Sequence, residues 1–284
     1  DEQHLTTIVQ TPDLHVFDVE RVEILSGPQG TLYGSSSTSG NIKIITKKPD
    51  VTSVDYGFDL EYGSIEDGSN DQSLEAYINM PLGANTAVRV SAYDLQDGGW
   101  IDNELSTKTF TNSGYTIDNS AFAEDDYNEL NKSGYRIRLA SEIMGQNLDL
   151  SMLDQTSEFG GSWETDEAVG PISNSRFNEE HFDDDFSQIS LSLSGDLNDN
   201  VEYIFTASSF ERDVEYTYDY SEYVEYYNYD GPTYTCDYYD YYYYYNISGC
   251  QDPRMSYTQI DNHERDSYEV RIQSKGDSGF QWIL

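Results

Sequence analysis

Basic residues are scarce. Lys and Arg number 15 against 53 Asp and Glu, a formal net charge of −38 over 284 residues. That balance excludes nucleic acid as a partner, because a binder needs a basic face to neutralise phosphates. Long apolar runs are missing too. No stretch reaches the roughly 18 apolar residues of a membrane-crossing helix, and mean hydropathy is −0.69. A membrane-crossing β-barrel stays open, since its strands alternate apolar and polar residues and keep hydropathy low. Cysteine is reduced to Cys236 and Cys250, outside any CxxC or His-rich metal pattern. Lying in an acidic polar stretch, they read either as one surface disulfide of an oxidising compartment or as two free thiols. There is no GxSxG elbow and no HExxH, and His4, His15, His181 and His263 are isolated. With no nucleophile, acid–base pair or metal cluster in sight, an enzyme and a cofactor are not expected. The chain starts at Asp1 without Met or an apolar leader and stops at Phe280-Gln281-Trp282-Ile283-Leu284, the opening of a strand. Both ends are expected to be internal to a longer protein.

What is abundant is tyrosine, 26 residues against 11 Phe and 3 Trp. Tyrosine favours strands, interfaces and membrane–water boundaries, because it joins an apolar ring to a wet hydroxyl. From Val51 onward the sequence alternates with period two in eight segments. They are DYGFDLEY, SLEAYINM, AVRVSAYDL, GYRIRLASEI, LDLSML, SQISLSLSG, VEYIFTAS and SYEVRIQS. Tyr56, Phe58, Leu60 and Tyr62 fall on one face, for example, with Gly57, Asp59 and Glu61 on the other. Short turns alternate with long connections, the longest from about Glu211 to Asp266. Compact domains seldom carry structureless loops above about 12–15 residues, whereas outer-membrane barrels have long loops at one rim and short turns at the other. The competing reading is a soluble extracellular β-sandwich that binds glycans or acts as an adhesin, with its apolar face turned to a core.

The stretch SGPQGTLYGSSSTSGNIKIITKKPD, Ser26 to Asp50, is rich in Gly, Ser and Thr. A phosphate-cradling loop would need GK[ST] and a helix to follow. Here the glycines lead into Ile42-Lys43-Ile44-Ile45, which is β-branched and alternating. Pro28 fixes φ at the second position of a turn, with Gly30 at the fourth. Gly34 and Gly40 permit positive φ or the close approach of another backbone.

With the preceding strand, VERVEILSGPQGTLYGSSSTSGNIKIITKKPD resembles the C-terminal segment of the plug domain of TonB-dependent outer-membrane receptors. The resemblance rests on Val19, Glu20, Arg21, Glu23, Gly27, Pro28, Gly30, Leu32, Tyr33, Gly34, Gly40, Ile42, Ile44, Thr46, Lys47 and Pro49. Two positions depart from the family pattern: Ser26 stands where Arg is common, and Ser39 where a second Gly is common. The resemblance implies an all-β fold. Residues 1–50 would form the end of a plug, and 51–284 the first eight or nine strands of an antiparallel transmembrane barrel of about 22 strands.

It further implies residence in the outer membrane of a Gram-negative bacterium, amid lipid and lipopolysaccharide. The function implied is uptake of a scarce solute, energised through TonB, without covalent chemistry. The cargo would be a ferric siderophore or other iron complex, or an oligosaccharide. The acidic content favours a neutral or cationic ligand over an anionic ferric catecholate. The plug-motif residues Arg21, Glu23, Gly27, Pro28, Gly30, Tyr33, Gly34 and Gly40 are expected to serve structure and coupling. Arg89, Arg136, Arg138 and Arg271 are expected to face the lumen and meet plug carboxylates. Most tyrosines lie between Tyr216 and Cys250, where Tyr226, Tyr227, Tyr229, Tyr234, Tyr238 and Tyr239 are candidates for a ligand-stacking loop. The same tyrosines also suit a long hairpin above the membrane. Glu124-Asp125-Asp126 and Asp183-Asp184-Asp185 could offer carboxylates to calcium, but neither has the spacing of a known loop and solvated surface is the simpler account.

Overall fold

The computed structural model describes residues 5–6, 11–30, 37–227, 236–240, 245–250, 252–275 and 280–284, with the backbone alone between 236 and 250. An extended stretch, 11–17, leads into an antiparallel pair of β1 (Val19–Ser26) and β2 (Gly40–Thr46). Next come β3 (Asp55–Tyr62), β4 (Gln72–Pro81) and β5 (Thr86–Asp97). A long connection carries β6 (Asp102–Asn103), β7 (Thr107–Thr109) and β8 (Thr116–Asp118). The hairpin of β9 (Leu130–Ile143) and β10 (Gln146–Phe159) is followed by β11 (Ser173–Asn174) in a second connection. Then come β12 (His181–Asn198) and β13 (Val201–Asp219). A third connection holds a short helix, Ser221–Tyr226, and the ribbon of β14 (Cys236–Asp240) and β15 (Tyr245–Cys250), before β16 (Ser256–Ser274).

Eight strands form one antiparallel sheet in the order β3-β4-β5-β9-β10-β12-β13-β16, each beside its predecessor in the meander. All eight expected strands are present, and a ninth opens after them. Ile272 and Leu284 exchange backbone hydrogen bonds of 2.9 and 2.8 Å, and Ile283 bridges Gln273. Turns at one rim are tight. Met144 (φ 53°) and Gly145 (φ 77°) link β9 to β10 with both residues left-handed, the conformation that suits the twist of a two-residue hairpin. At the other rim the connections are long, so the predicted alternation of short and long holds throughout.

Seven of the eight strands outrun the expected segments, and β3 coincides with DYGFDLEY. Their lengths are 8, 10, 12, 14, 14, 18, 19 and 19 residues along the sheet. The stretch expected as loop from Glu211 to Asp266 is therefore strand up to Asp219 and again from Ser256.

The two faces differ as the alternation requires. One carries Arg89, Ser91, Arg136, Arg138, Gln155, Ser157, Asp184, Gln188, Ser208 and Arg212, all buried. The other carries Tyr56, Phe58, Leu60, Leu74, Ile78, Ile137, Leu150, Ile189, Tyr268 and Val270, all exposed, with Tyr56, Phe58 and Leu60 at 66–74%. A sandwich buries its apolar face against a second sheet. Here the polar face is covered and the apolar face is open, as in a barrel wall with a polar lumen and a lipid-facing exterior. The polar, inner face is covered by the N-terminal segment: Leu5 and Leu14 pack against Leu153, Phe186 and Phe210. A second apolar cluster lies in the long connections, where Phe110, Ile117, Phe177 and Val224 meet.

Candidate functional site

The N-terminal segment descends the inner face from the long-loop rim to the short-turn rim, held by polar contacts at each level. Near the upper rim, Lys132 donates to Asp13 at 2.6 Å, and Gln155 donates to the Asp13 carbonyl at 2.9 Å. One level down, the Gln155 side-chain oxygen accepts from the His15 backbone N–H at 3.0 Å and from the Tyr93 hydroxyl at 2.7 Å. The His15 ring packs 4.5 Å from the Tyr93 ring and meets Glu75 through Nε2. Next comes Asp18. Its carboxylate is 1% exposed and receives a two-pronged contact from Arg89, 2.7 Å from Nε and 2.6 Å from Nη2. Arg136 donates to the Asp18 carbonyl at 2.7 Å and to the Phe17 carbonyl at 3.2 Å. At the lower rim Arg138 grips Thr46, 3.0 Å from its carbonyl and 2.6 Å from its hydroxyl, and pairs with Asp149. Fully buried Asn79 then clasps the crossing into the sheet: it donates to the carbonyls of Asp50 and Ser53 at 2.8 Å and accepts from the Asp50 N–H at 2.9 Å.

Asp18 follows from the sheet register. Arg89 and Arg138 are directly opposed on β5 and β9, and Arg136 faces Ser91 one step away. Like charges in that arrangement repel, so the inner face needs an anion there. Asp18 supplies it from a left-handed backbone (φ 51°), just before β1. Of the four arginines expected to face the lumen, Arg89 and Arg136 meet this carboxylate. Arg138 meets Thr46 and the wall residue Asp149, and Arg271 donates to Glu269 on its own strand.

The motif residues themselves lie elsewhere. Arg21 donates to Glu23 at 2.7 Å and to Glu20, on an exposed strand. Gly27 has φ 84° and donates to the Ser39 carbonyl at 3.2 Å. Beyond Pro28, Gln29 bonds the Ser37 carbonyl at 2.8 Å, which closes the base of the loop. Gly30 has open space where a Cβ would stand. At Gly40 a Cβ would lie 2.6 Å from the Leu25 carbonyl oxygen, with φ +151°, so a glycine is required there. Leu32, Tyr33 and Gly34 lie outside the described residues.

At the upper rim the aromatic residues form a file. Phe159, Phe182 and Tyr216 sit in register on β10, β12 and β13, with the parity of the inner-face residues Ser157, Asp184 and Val214. Ring centroids are 5.3 Å apart for Phe159–Phe182 and 6.1 Å for Phe182–Tyr216. Trp163 extends one end, 6.0 Å from Phe159. The other end runs through Tyr257 to Tyr220, then by stacking to Tyr223 and Tyr227 at 4.7 and 5.8 Å, with Tyr226 edge-on. Of the tyrosines singled out in the sequence, Tyr226 and Tyr227 belong to this file. Tyr229 and Tyr234 lie outside the described residues, as do the side chains of Tyr238 and Tyr239. The strand-borne aromatics escaped sequence reasoning because they are spread over four strands.

At the level of Phe159 lies a cavity of about 620 Å³ whose walls include Glu124, Asp126, Glu129, Glu158 and Glu180, and whose strand residues Asn131, Glu158 and Asp183 have the parity of the outward face. Burial and the neighbouring Asp102 and Asp125 push the Asp126 carboxyl up. Of the two acidic triads, Asp184 is buried in a pair with Arg212 at 2.6 Å, whereas Asp183 and Glu124-Asp125-Asp126 line the cavity. Among the described residues no three side chains come together as a metal site. Cys236 and Cys250 are paired in register across β14 and β15, with their side chains outside the described residues.

No protein-family model matches the chain. Over 39 residues, 14% of the chain and 6% of the relative, it is 56% identical to the pesticin receptor of Yersinia pestis. Over 76 residues, 26% of the chain and 9% of the relative, it is 33% identical to the catecholate siderophore receptor Fiu of Escherichia coli. In fold it is similar to the siderophore receptor PiuA of Acinetobacter baumannii, with a TM-score of 0.57 and 15% identity over 93% of the chain and 33% of that receptor. It is similar too to the open form of the ferric-catecholate import receptor Fiu, with a TM-score of 0.56 and 18% identity over 93% of the chain and 37% of that receptor. The chain thus spans about a third of the solved receptors and under a tenth of the curated relatives it matches. In the glycine-bearing hairpin, the eight-stranded meander with its apolar face outward and these likenesses, the chain resembles the TonB-dependent outer-membrane receptors and shares their fold.

Proposed function

We propose that residues 1–50 are the end of a plug and residues 51–284 the leading part of a transmembrane barrel, in a receptor that imports a siderophore-type iron complex driven by TonB. The observation that carries this reading is the aromatic file on the inner face at the long-loop rim, above a lumen already occupied by the N-terminal segment. Rings presented inward at a mouth offer stacking surfaces to a chelate at low entropic cost, and the polar wall below gives a released chelate a wet path. The names of the relatives, all siderophore or pesticin receptors, weigh towards iron over an oligosaccharide. The net charge of −38 favours a neutral or cationic complex. The outward apolar face supports residence in the outer membrane and weighs against the sandwich adhesin.

The test is uptake of radioactive iron by cells carrying the full-length receptor. Chelates of differing net charge are supplied, with labelled oligosaccharides in parallel. Saturable iron uptake that needs TonB and drops when Trp163 and Tyr223 are changed to Ala supports the reading. Uptake of an oligosaccharide without iron uptake refutes it.

A further inference from the structure

Every Lys and Arg of the eight-stranded sheet lies on its inner face, from Arg89 and Lys132 on β5 and β9 to Arg265 and Arg271 on β16. The outward face has none. The inner cations meet acceptors there, as Lys132 meets Asp13 and Arg212 meets Asp184. Outward carboxylates stand in the opposite situation. Strand register sets Asp185 directly opposite Asp213 and Glu211 opposite Glu264, while Glu158, Asp183 and Glu215 share one row. Such opposed residues are about 4.5–5.5 Å apart at Cβ, and like charges there repel. On the inner face the opposed Arg89 and Arg138 are answered by Asp18 and Asp149. On the outward face no lysine or arginine among the described residues pairs with these carboxylates. His181 lies 3.8 Å from Glu215, and Asn262 donates to Asp213.

The lower pairs begin where the apolar band ends. The outward series on β12 climbs through Leu191, Ile189, Ser187 and Asp185, and on β16 through Val270, Tyr268, Asp266 and Glu264. The carboxylates therefore start about 7–13 Å along the strand above the last apolar residue, within and just beyond the headgroup layer of a bilayer. We propose that the outward wall of β12, β13 and β16 binds the phosphorylated glycolipid of the outer leaflet through shared divalent cations, with opposed carboxylates on one side of each ion and lipid phosphates on the other. Magnesium is commonly held by one or two carboxylates together with phosphate oxygens, rather than by a cage of protein ligands. A wall that offers carboxylates in twos suits that chemistry, and among the described residues no three side chains come together to hold an ion alone. Bare phosphate is repelled by this wall, and a monovalent ion screens the charges without joining the two surfaces. The proposal rests on the outer-membrane reading above.

The test is retention of lipopolysaccharide by the full-length receptor in detergent, measured after gel filtration. Heat-modifiable gel mobility reports separately that the barrel is folded. A receptor without it overturns the membrane reading and this proposal together. With a folded barrel, retention in magnesium should fall about tenfold on chelation with EDTA, and sodium chloride of equal ionic strength should not restore it. The triple variant Asp185→Asn, Glu211→Gln and Glu264→Gln should lose retention to the same extent. In EDTA that variant should unfold at a higher temperature than wild type, because its like-charge pairs are gone. Retention that survives EDTA, that sodium restores, or that the variant keeps overturns the proposal and leaves the membrane reading standing. Equal retention of dephosphorylated lipopolysaccharide overturns it too, since the sugar rather than the phosphate is then the ligand.

Discussion

Asp18→Asn is the substitution with the largest expected consequence at the docked N-terminal segment. The carboxylate is 1% exposed and Arg89 is 7% exposed, with both oxygens engaged and a second arginine, Arg136, on the same residue. Asparagine keeps the volume and one acceptor but removes the charge. Arg89, Arg136 and Arg138 then share one patch of the inner face with Asp149 and, 3.9 Å from Arg89, the half-exposed Asp55 as the remaining carboxylates close by. Breaking a buried pair by removing one partner costs about 3–5 kcal/mol, because the other charge is left uncompensated. If 3 kcal/mol of that falls on docking, the undocked population rises about a hundredfold. The assay is amide exchange across β1 and β2 in the full-length receptor, with Glu20→Gln as the control. Glu20 meets Arg21 on the surface, both about half exposed, where such a pair contributes about 1 kcal/mol or less. Exchange in β1–β2 should accelerate strongly in Asp18→Asn and stay near wild type in Glu20→Gln. Equal exchange in both would refute the argument that Asp18 anchors the segment.

Three further outcomes follow from local geometry. Gly40→Ala drives a Cβ to 2.6 Å from the Leu25 carbonyl, so thermal unfolding should shift down and exchange in Val19–Ser26 should rise. At the 143–146 hairpin, Met144→Asn relieves a left-handed methionine and should stabilise the turn by about 1 kcal/mol, seen as a higher denaturant midpoint. Glu225 is held below its ordinary carboxyl value by the Thr111 hydroxyl first, then by the Thr111 N–H and Lys108. A depressed carboxyl stabilises the fold above the unfolded value and loses that contribution as pH falls through the folded one. The Thr111–Glu225 contact should therefore be complete at neutral pH and weaken only below the ordinary value of 4.5, as proton exchange at Thr111 would register.

Period two was legible wherever one face meets lipid, because there the outward residues must be apolar. That is why DYGFDLEY and SLEAYINM fall inside β3 and β4. In the upper parts of β12, β13 and β16 the outward residues are acidic: Asp183, Asp185, Glu211, Asp213, Glu215 and Glu264. The inward residues there include Phe182, Phe186, Val214 and Tyr216, so the alternation reverses its polarity, and HFDDD, ERDVEYTYD and NHERD looked like loop. The apolar cluster of the long connections was invisible for another reason. Phe110, Ile117, Phe177 and Val224 are single apolar residues in polar connections, with no period to reveal them. Asp18 precedes a motif whose charged members, Arg21 and Glu23, drew notice, yet these face outward while Asp18 turns into the sheet. Its partners are set by the pairing of β5 with β9, a long-range register that local sequence does not specify.

The growth of strand length across the sheet makes the rim a slope. At about 3.3 Å per residue, 8 residues reach about 27 Å and 19 residues about 63 Å, and a tilt near 40° brings the taller figure to about 48 Å of height. With roughly 25 Å of that occupied by the membrane band, the β12–β13–β16 side stands some 20 Å clear while the β3 side ends close to the bilayer. The aromatic file runs along the tall side. Seen from the surrounding medium, the protein presents a backboard and a low sill rather than a level ring.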